Sequence, residues 1–159
     1  MKINFILNGD DCELNTEPER RLIDVLRREY SLLGAKAGCL CGRCGVCSII
    51  FNGTITAACL IPAFRARGSE IITIEGFSLQ DEYQDIVSGF TKTGVSHCGY
   101  CDTGKILAVE ALLKVNPQPT RAEALVAFSG VNCRCTEPDL LADAVLAIAD
   151  TRQRKNYGR

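Results

Sequence analysis

The most constraining feature of this sequence is its ten cysteines among 159 residues. Setting aside Cys12 and Cys41 leaves two sets of four, separated by a long gap. The first set is Cys39, Cys44, Cys47 and Cys59, and the second set is Cys98, Cys101, Cys133 and Cys135. No basic-then-apolar leader is visible at the N-terminus, so we expect metal ligation rather than a disulfide framework.

The first set has the spacing Cys39-x4-Cys44-x2-Cys47, followed by Cys59. This is the spacing of plant-type [2Fe–2S] sites. Four glycines in or beside this segment permit positive φ angles and close approach of the backbone to a cluster. They are Gly34, Gly38, Gly42 and Gly45. A zinc site is the alternative, although zinc sites usually combine two C-x2-C pairs.

Two cysteines fall outside the ligand sets. Cys41 lies between two expected ligands and is predicted to be spare, or a reactive thiol if it is exposed. Cys12 lies on a predicted strand and is predicted to be a small buried apolar residue.

The second set pairs Cys98-x2-Cys101 with Cys133-x-Cys135. The first pair has the spacing of a zinc knuckle, whereas a single residue between zinc-binding cysteines is unusual. Spacing alone therefore leaves zinc, a dithiol/disulfide pair and a second iron–sulfur cluster open.

The pattern of apolar residues changes along the chain from mainly strands to mainly helices. We predict strands at 2–7, up to 15, at 48–51, at 54–58 and at 71–75, with a helix over 19–30 opened by a Thr16–Glu19 capping box. Asn8-Gly9 and Asn52-Gly53 predict tight hairpin turns. Later helices are predicted over 85–92, from Asp102 as the cap, from a Thr120–Glu123 capping box and from Thr136. We therefore divide the chain into 1–76, a linker at 77–84 with little regular structure, and 85–159.

Taken together, three segments resemble the two-cluster iron–sulfur subunit of molybdenum hydroxylases, the xanthine dehydrogenase, aldehyde oxidase and carbon monoxide dehydrogenase group. They are Gly38-Cys39-x4-Cys44-Gly45-x-Cys47 with Cys59, Cys98-Gly99-Tyr100-Cys101, and Cys133-Arg134-Cys135-Thr136. The resemblance implies an α+β fold, in which a β-grasp, plant-ferredoxin-like domain precedes a four-helix bundle. It also implies two [2Fe–2S] clusters on the two sets of four cysteines.

The same resemblance implies an electron-transfer subunit of an oxidoreductase with no substrate site of its own. Electrons would pass from molybdopterin in a large subunit through the second cluster, then the first, to FAD in a medium subunit. A dimer of such heterotrimers is expected. Cys135 would lie where a ligand sulfur meets the pterin.

The sequence departs from the family around the second set. His97 replaces a glutamine, Asp102-Thr103 replaces Thr-Pro, and Glu137-Pro138 replaces Gly-Tyr. His97 is interpreted either as a contact to the partner's molybdopterin or as a polar residue satisfied by backbone. The resemblance also implies that the substrate of the holoenzyme is decided in the large subunit.

Charge and motifs exclude other functions. The net charge of -1 gives no field for nucleic acid. No apolar run is long enough to span a membrane, and no nucleotide-binding glycine motif is present. A cytoplasmic location is expected. The alternatives are a free two-cluster ferredoxin, a zinc-binding scaffold and a thiol-based redox sensor.

Overall fold

The structure is a computed structural model that describes the backbone of residues 1–157 and the side chains of residues 1–155. Five strands form one mixed sheet in the order β2-β1-β5-β3-β4. Strands β1 and β5 pair in parallel, and the other neighbours pair antiparallel. The strands are β1 (Lys2–Leu7), β2 (Asp10–Asn15), β3 (Ser48–Phe51), β4 (Thr54–Ala57) and β5 (Glu70–Ile72).

Both predicted hairpin turns are confirmed. Asn8 and Gly9 have φ angles of 54° and 93°, and Asn52 and Gly53 have φ angles of 49° and 78°. Two consecutive left-handed residues are what a type I′ turn requires, and asparagine followed by glycine tolerates that conformation best.

The described residues form six α-helices, most of them in the second half of the chain. They are α1 (Leu22–Arg28), α2 (Ile74–Phe77), α3 (Asp81–Thr93), α4 (Asp102–Val115), α5 (Arg121–Ala127) and α6 (Pro138–Tyr157). The Thr120–Glu123 capping box of α5 is confirmed, because each side chain bonds the other residue's backbone N–H. The observed architecture is thus a small mixed α/β fold, with a five-stranded sheet followed by helices.

The capping box predicted at Thr16 is wrong. Helix α1 begins only at Leu22, and its cap residue Arg21 makes no side-chain capping bond. The backbone before α1 pairs instead with the segment that follows Cys59: Leu22 N donates to Ile61 O at 2.7 Å. The residues that the local sequence assigned to the first helical turn therefore make hydrogen bonds to a distant segment instead.

The predicted strand over 71–75 and the irregular linker after it also need correction. Strand β5 ends at Ile72, because Asn8 Oδ1 accepts the Thr73 N–H at 2.8 Å and turns the chain into α2. Helix α2 ends at Phe77 and α3 begins at Asp81, so five of the eight residues of the predicted linker are helical. The domain boundaries themselves remain a prediction.

The sheet has a hydrophobic core on each face. Ile49 and Ile50 point in opposite directions, as neighbours on a strand do. Ile49 belongs to a core with α1, whereas Ile50 belongs to a core with α3, α4 and α6. The helical half therefore packs directly on the sheet. Within residues 1–157, no helix has both the length and the apolar character to cross a membrane.

Candidate metal centres

The first cysteine set lies in a loop between α1 and β3 and in the short turn after β4. The backbone of this loop points N–H groups at sulfur: Arg43 N lies 3.2 Å from Cys39 Sγ, and Cys39 N lies 3.5 Å from Cys44 Sγ. The N–H groups of Cys41 and Arg43 lower the pKa of Cys39 to about 6. The loop therefore stabilises negative charge on sulfur, as a cluster ligand requires.

Cys47 and Cys59 are the buried members of the first set, at 2% and 3% exposure. Their thiols lie beside each other, and burial raises the pKa of Cys47 to about 11. Cys59 reaches this position from the 3-10 turn Ala58–Leu60, which follows directly on β4. The β3–β4 hairpin thus brings the fourth cysteine back to the loop.

The second set joins the turn before α4 to the segment between α5 and α6. Cys101 is buried, and burial raises its pKa to about 12, with the Cys133 thiol as the next contribution. The Tyr100 N–H, followed by the Cys135 side chain, lowers the pKa of Cys98. The four thiols of this set thus also lie in pairs, Cys101 with Cys133 and Cys98 with Cys135.

This pairwise arrangement fits a [2Fe–2S] cluster. Such a cluster takes four protein ligands, two on each iron. Each cysteine set offers two neighbouring pairs of thiols. All ten cysteines are free thiols. The donor chemistry therefore suits two iron–sulfur clusters.

Glycine makes the tight first loop possible. A Cβ on Gly38 would lie 3.0 Å from Cys44 Sγ and 3.2 Å from the Tyr100 hydroxyl. Gly45 has a φ of +73°, and a Cβ there would lie 2.4 Å from Gly130 O. Glycine is needed at Gly38 mainly because the first loop folds back on itself, with Val46 Cγ2 nearest at 2.7 Å. It is needed at Gly45 because the two cysteine-bearing loops approach each other closely.

Hydrogen bonds join the two loops directly. Asn132 N donates to Cys44 O at 3.1 Å, and Asn132 Nδ2 donates to Arg43 O at 3.2 Å. The Thr103 hydroxyl donates to Gly34 O at 2.8 Å. Because Asn132 precedes Cys133, one backbone hydrogen bond connects a cysteine of the first set to the neighbour of a cysteine of the second.

The residues that depart from the family pattern lie in the turn before α4, in the first turn of α4 and at the start of α6. Asp102 is the first residue of α4 rather than its cap, which corrects our expectation, and its carboxylate accepts the Gly99 N–H at 2.9 Å. His97 Nδ1 lies 3.6 Å from Asp102 Oδ1, and the His97 ring packs against Phe90. Glu137 and Pro138 stand at the exposed start of α6.

Cys12 and Cys41 are not members of these thiol pairs, and their surroundings differ. Cys12 is half-buried on β2 and packs against the core, next to Tyr30. Cys41 is exposed, and the Cys39 side chain raises the pKa of its thiol, which disfavours the reactive thiolate.

Sequence reasoning missed Lys105, which is fully buried beside the second set. The available signal was its position on the apolar face of α4, four residues before the buried Val109.

The comparisons with known proteins agree with this geometry. A family model described as a [2Fe-2S] binding domain matches residues 73–146. The chain is 44% identical over 134 residues to the nicotinate dehydrogenase small FeS subunit of Eubacterium barkeri, covering 84% of this chain and 85% of that one.

Solved structures match nearly the whole chain. Quinoline 2-oxidoreductase from Pseudomonas putida 86 superposes with a TM-score of 0.87 at 34% identity, covering 97% of this chain and 96% of that one. Aldehyde oxidoreductase from Desulfovibrio gigas gives a TM-score of 0.85 at 33% identity, covering 98% of this chain but 17% of that longer one. The same unit thus occurs both as a separate subunit and as part of a larger chain.

The fold and its two sets of thiols define an iron–sulfur electron-transfer module. The chain belongs to the family of two-cluster [2Fe–2S] subunits of the molybdenum hydroxylases. It is an electron-transfer subunit of an oxidoreductase.

Proposed function

We propose that this chain carries electrons from a molybdopterin centre in a large partner subunit to FAD in a medium partner subunit. One [2Fe–2S] cluster would be held by Cys39, Cys44, Cys47 and Cys59, and the other by Cys98, Cys101, Cys133 and Cys135. The observation that carries this proposal is the direct contact between the two cysteine-bearing loops, with Asn132 N donating to Cys44 O. When bound, each cluster supplies one-electron redox chemistry.

The residues of the chain prepare the two sites in complementary ways. In the first loop, backbone N–H groups donate to the sulfurs of Cys39 and Cys44. They lower the pKa of Cys39 and would adjust the reduction potential. Burial of Cys47 and Cys59 keeps water away from one side of the first site. Burial of Cys101 likewise keeps water away from one side of the second site.

The second site would face the molybdopterin, through Cys135 and His97. Support comes from exposure: Cys135 and Cys98 are exposed, while Cys101 lies underneath against α4. The His97 side chain is 31% exposed and turned to Asp102, so it has both a partner within the chain and access to a partner molecule. A donor that is partly exposed in the free chain suits a contact completed on assembly.

The complex would be a dimer of heterotrimers. The relatives support one part of this proposal, that the chain is a separate small subunit: the Eubacterium barkeri protein is called a small FeS subunit, and the quinoline 2-oxidoreductase match is a chain of this size. We also propose that the complex works in the cytoplasm.

We also propose how the fold divides into domains. Residues 1–76 would form a β-grasp, plant-ferredoxin-like domain, 77–84 the connection, and 85–159 a four-helix bundle, with residues 158 and 159 outside the described part. Helices α3, α4, α5 and α6 support the bundle, because each packs against two of the others. The family model, which begins at residue 73, supports a boundary near there.

The test is anaerobic purification of the complex, followed by metal analysis and EPR spectroscopy of the dithionite-reduced sample. We expect two irons for each cluster, two distinct [2Fe–2S] signals, and molybdenum and FAD in the same sample. Purification of an iron-loaded chain alone would favour the free two-cluster ferredoxin. A colourless chain with zinc would contradict the proposal.

A further inference from the structure

Lys105 is a buried cation in the first turn of α4. Its side chain is 0% exposed, and it is among the largest fully buried side chains of the described residues. A buried charge is costly unless partners compensate it, and lysine is among the residues least often fully buried. Its partners therefore indicate why it is tolerated there.

Two partners hold the ammonium of Lys105. Its Nζ lies 3.0 Å from Asp102 Oδ1 and donates to Ser96 O at 2.6 Å. Asp102 in turn accepts the Gly99 N–H. Lys105 thereby ties together both ends of the 96–102 turn that carries Cys98 and Cys101.

The ammonium also lies within electrostatic range of the thiols. Although burial raises the pKa of Cys101 to about 12, the charge of Lys105 acts against that rise. The same charge acts on Cys133 and Cys135.

The geometry places Lys105 against both cysteine pairs. Lys105 N donates to Cys101 O at 3.1 Å. Ser96 O, the acceptor of the Lys105 ammonium, also accepts the hydroxyl of Thr136, the neighbour of Cys135, at 3.5 Å.

The carboxylate of Asp102 acts in the opposite sense to this charge. Its Oδ1 lies 3.0 Å from Lys105 Nζ and is itself buried, so water does not screen it on that side. Negative charge added at the second set is therefore stabilised by Lys105 and destabilised by Asp102.

We propose that Lys105 is a positioning residue that raises the reduction potential of the cluster at Cys98, Cys101, Cys133 and Cys135. This inference rests on the proposed ligand set. Reduction adds one negative charge to the site, and a nearby buried cation stabilises that charge. The bonds to Ser96 and Asp102 fix the distance over which the cation acts.

The experiment is an EPR-monitored redox titration of the purified complex. We compare the native chain with Lys105→Met, which keeps length but removes charge, and with Lys105→Arg, which keeps the charge. We expect Lys105→Met to lower the reduced-to-oxidised ratio of the second cluster about tenfold at a fixed applied potential, which is about 59 mV for one electron. Lys105→Arg should stay near the native potential, and the first signal should not move.

Asp102→Asn gives a second test in the opposite direction. Removing this negative charge should raise the potential of the second cluster, and combining it with Lys105→Met should bring the potential back toward the native value. If Lys105→Met fails to retain iron, Asp102→Asn still decides, because an unchanged potential there overturns the inference. A Lys105→Met complex with full iron content and an unchanged second potential also overturns it.

Failure of this inference is distinguishable from failure of the proposed function. If the native complex shows a single [2Fe–2S] signal, the ligand set is wrong, and Lys105 has no cluster to act on. If the native complex shows two signals and neither variant shifts the second, only the role of Lys105 is wrong.

Discussion

The two cysteine sites have different surroundings. The first is built mainly from backbone: N–H groups approach Cys39 and Cys44, and glycines permit the tight loop. The second is surrounded by charged and titratable side chains, with Lys105 beneath it and Asp102 and His97 beside it. Backbone donors persist through most substitutions, whereas side-chain charges change with one codon. The second site is therefore the one whose potential we expect to vary most between relatives.

Cysteine variants test the independence of the two sites and should have the largest effect. We expect Cys44→Ala to abolish the first [2Fe–2S] signal and Cys133→Ala to abolish the second, because each removes one of the four proposed ligands. The measurement is iron content with EPR of the reduced complex. Cys41→Ala is the matched control, since it lies in the same loop and should leave both signals in place.

A result in which Cys44→Ala and Cys133→Ala each remove both signals would contradict independent sites. It would mean that the two loops fold only together.

Gly45→Ala tests the close approach of the two loops. The new methyl would lie 2.4 Å from Gly130 O, so we expect an overpacking cost of about 1–3 kcal/mol. Gly53→Ala is the control, because Gly53 has a similar φ of +78° but nothing within 4 Å of its Cβ position. The difference in thermal unfolding between the two variants measures the contact without the cost of the left-handed backbone. If the two variants lose equal thermal stability, the two loops tolerate being moved apart.

Thr103→Val tests a single hydrogen bond between the two cysteine-bearing regions and should have the smallest effect of these variants. Thr103 is one of the residues that depart from the family pattern, and its hydroxyl donates to Gly34 O at 2.8 Å across the two halves. Valine keeps the shape but removes the donor, so we expect a loss of about 0.5–1.5 kcal/mol.

The control for this change is Thr56→Val, whose hydroxyl donates to the nearby Thr54 O within the same strand. Chemical denaturation of the iron-loaded complex compares the two. If Thr103→Val lowers the free energy of unfolding no more than Thr56→Val does, the Thr103–Gly34 hydrogen bond does not help to hold the two cysteine-bearing regions together.

Local sequence was sufficient where the structure is local. The Asn8-Gly9 and Asn52-Gly53 turns and the Thr120 capping box were predicted, because neighbouring residues alone determine them. The spacing of the cysteines likewise predicted which thiols lie in the same region of the fold. The proposed ligand roles extend that prediction and await the metal analysis.

Distant partners explain what the sequence did not reveal. The N-terminal end of α1 is displaced because Leu22 pairs with Ile61, and β5 is shortened because Asn8 binds Thr73. The burial of Lys105 depends on Ser96 and on the helices packed around α4. No local pattern encodes these contacts, although a lysine on the apolar face of a predicted helix does indicate a buried charge that needs partners.

The hydrogen bond from Asn132 N to Cys44 O has a consequence for how such a chain evolves. It joins main-chain atoms, so the separation of the two sites is inherited with the fold rather than with particular side chains. Charges such as Lys105 can then change the driving force between the sites while the tunnelling distance stays fixed. Speed and direction of electron flow become separately adjustable, and one scaffold can serve reactions of very different energy.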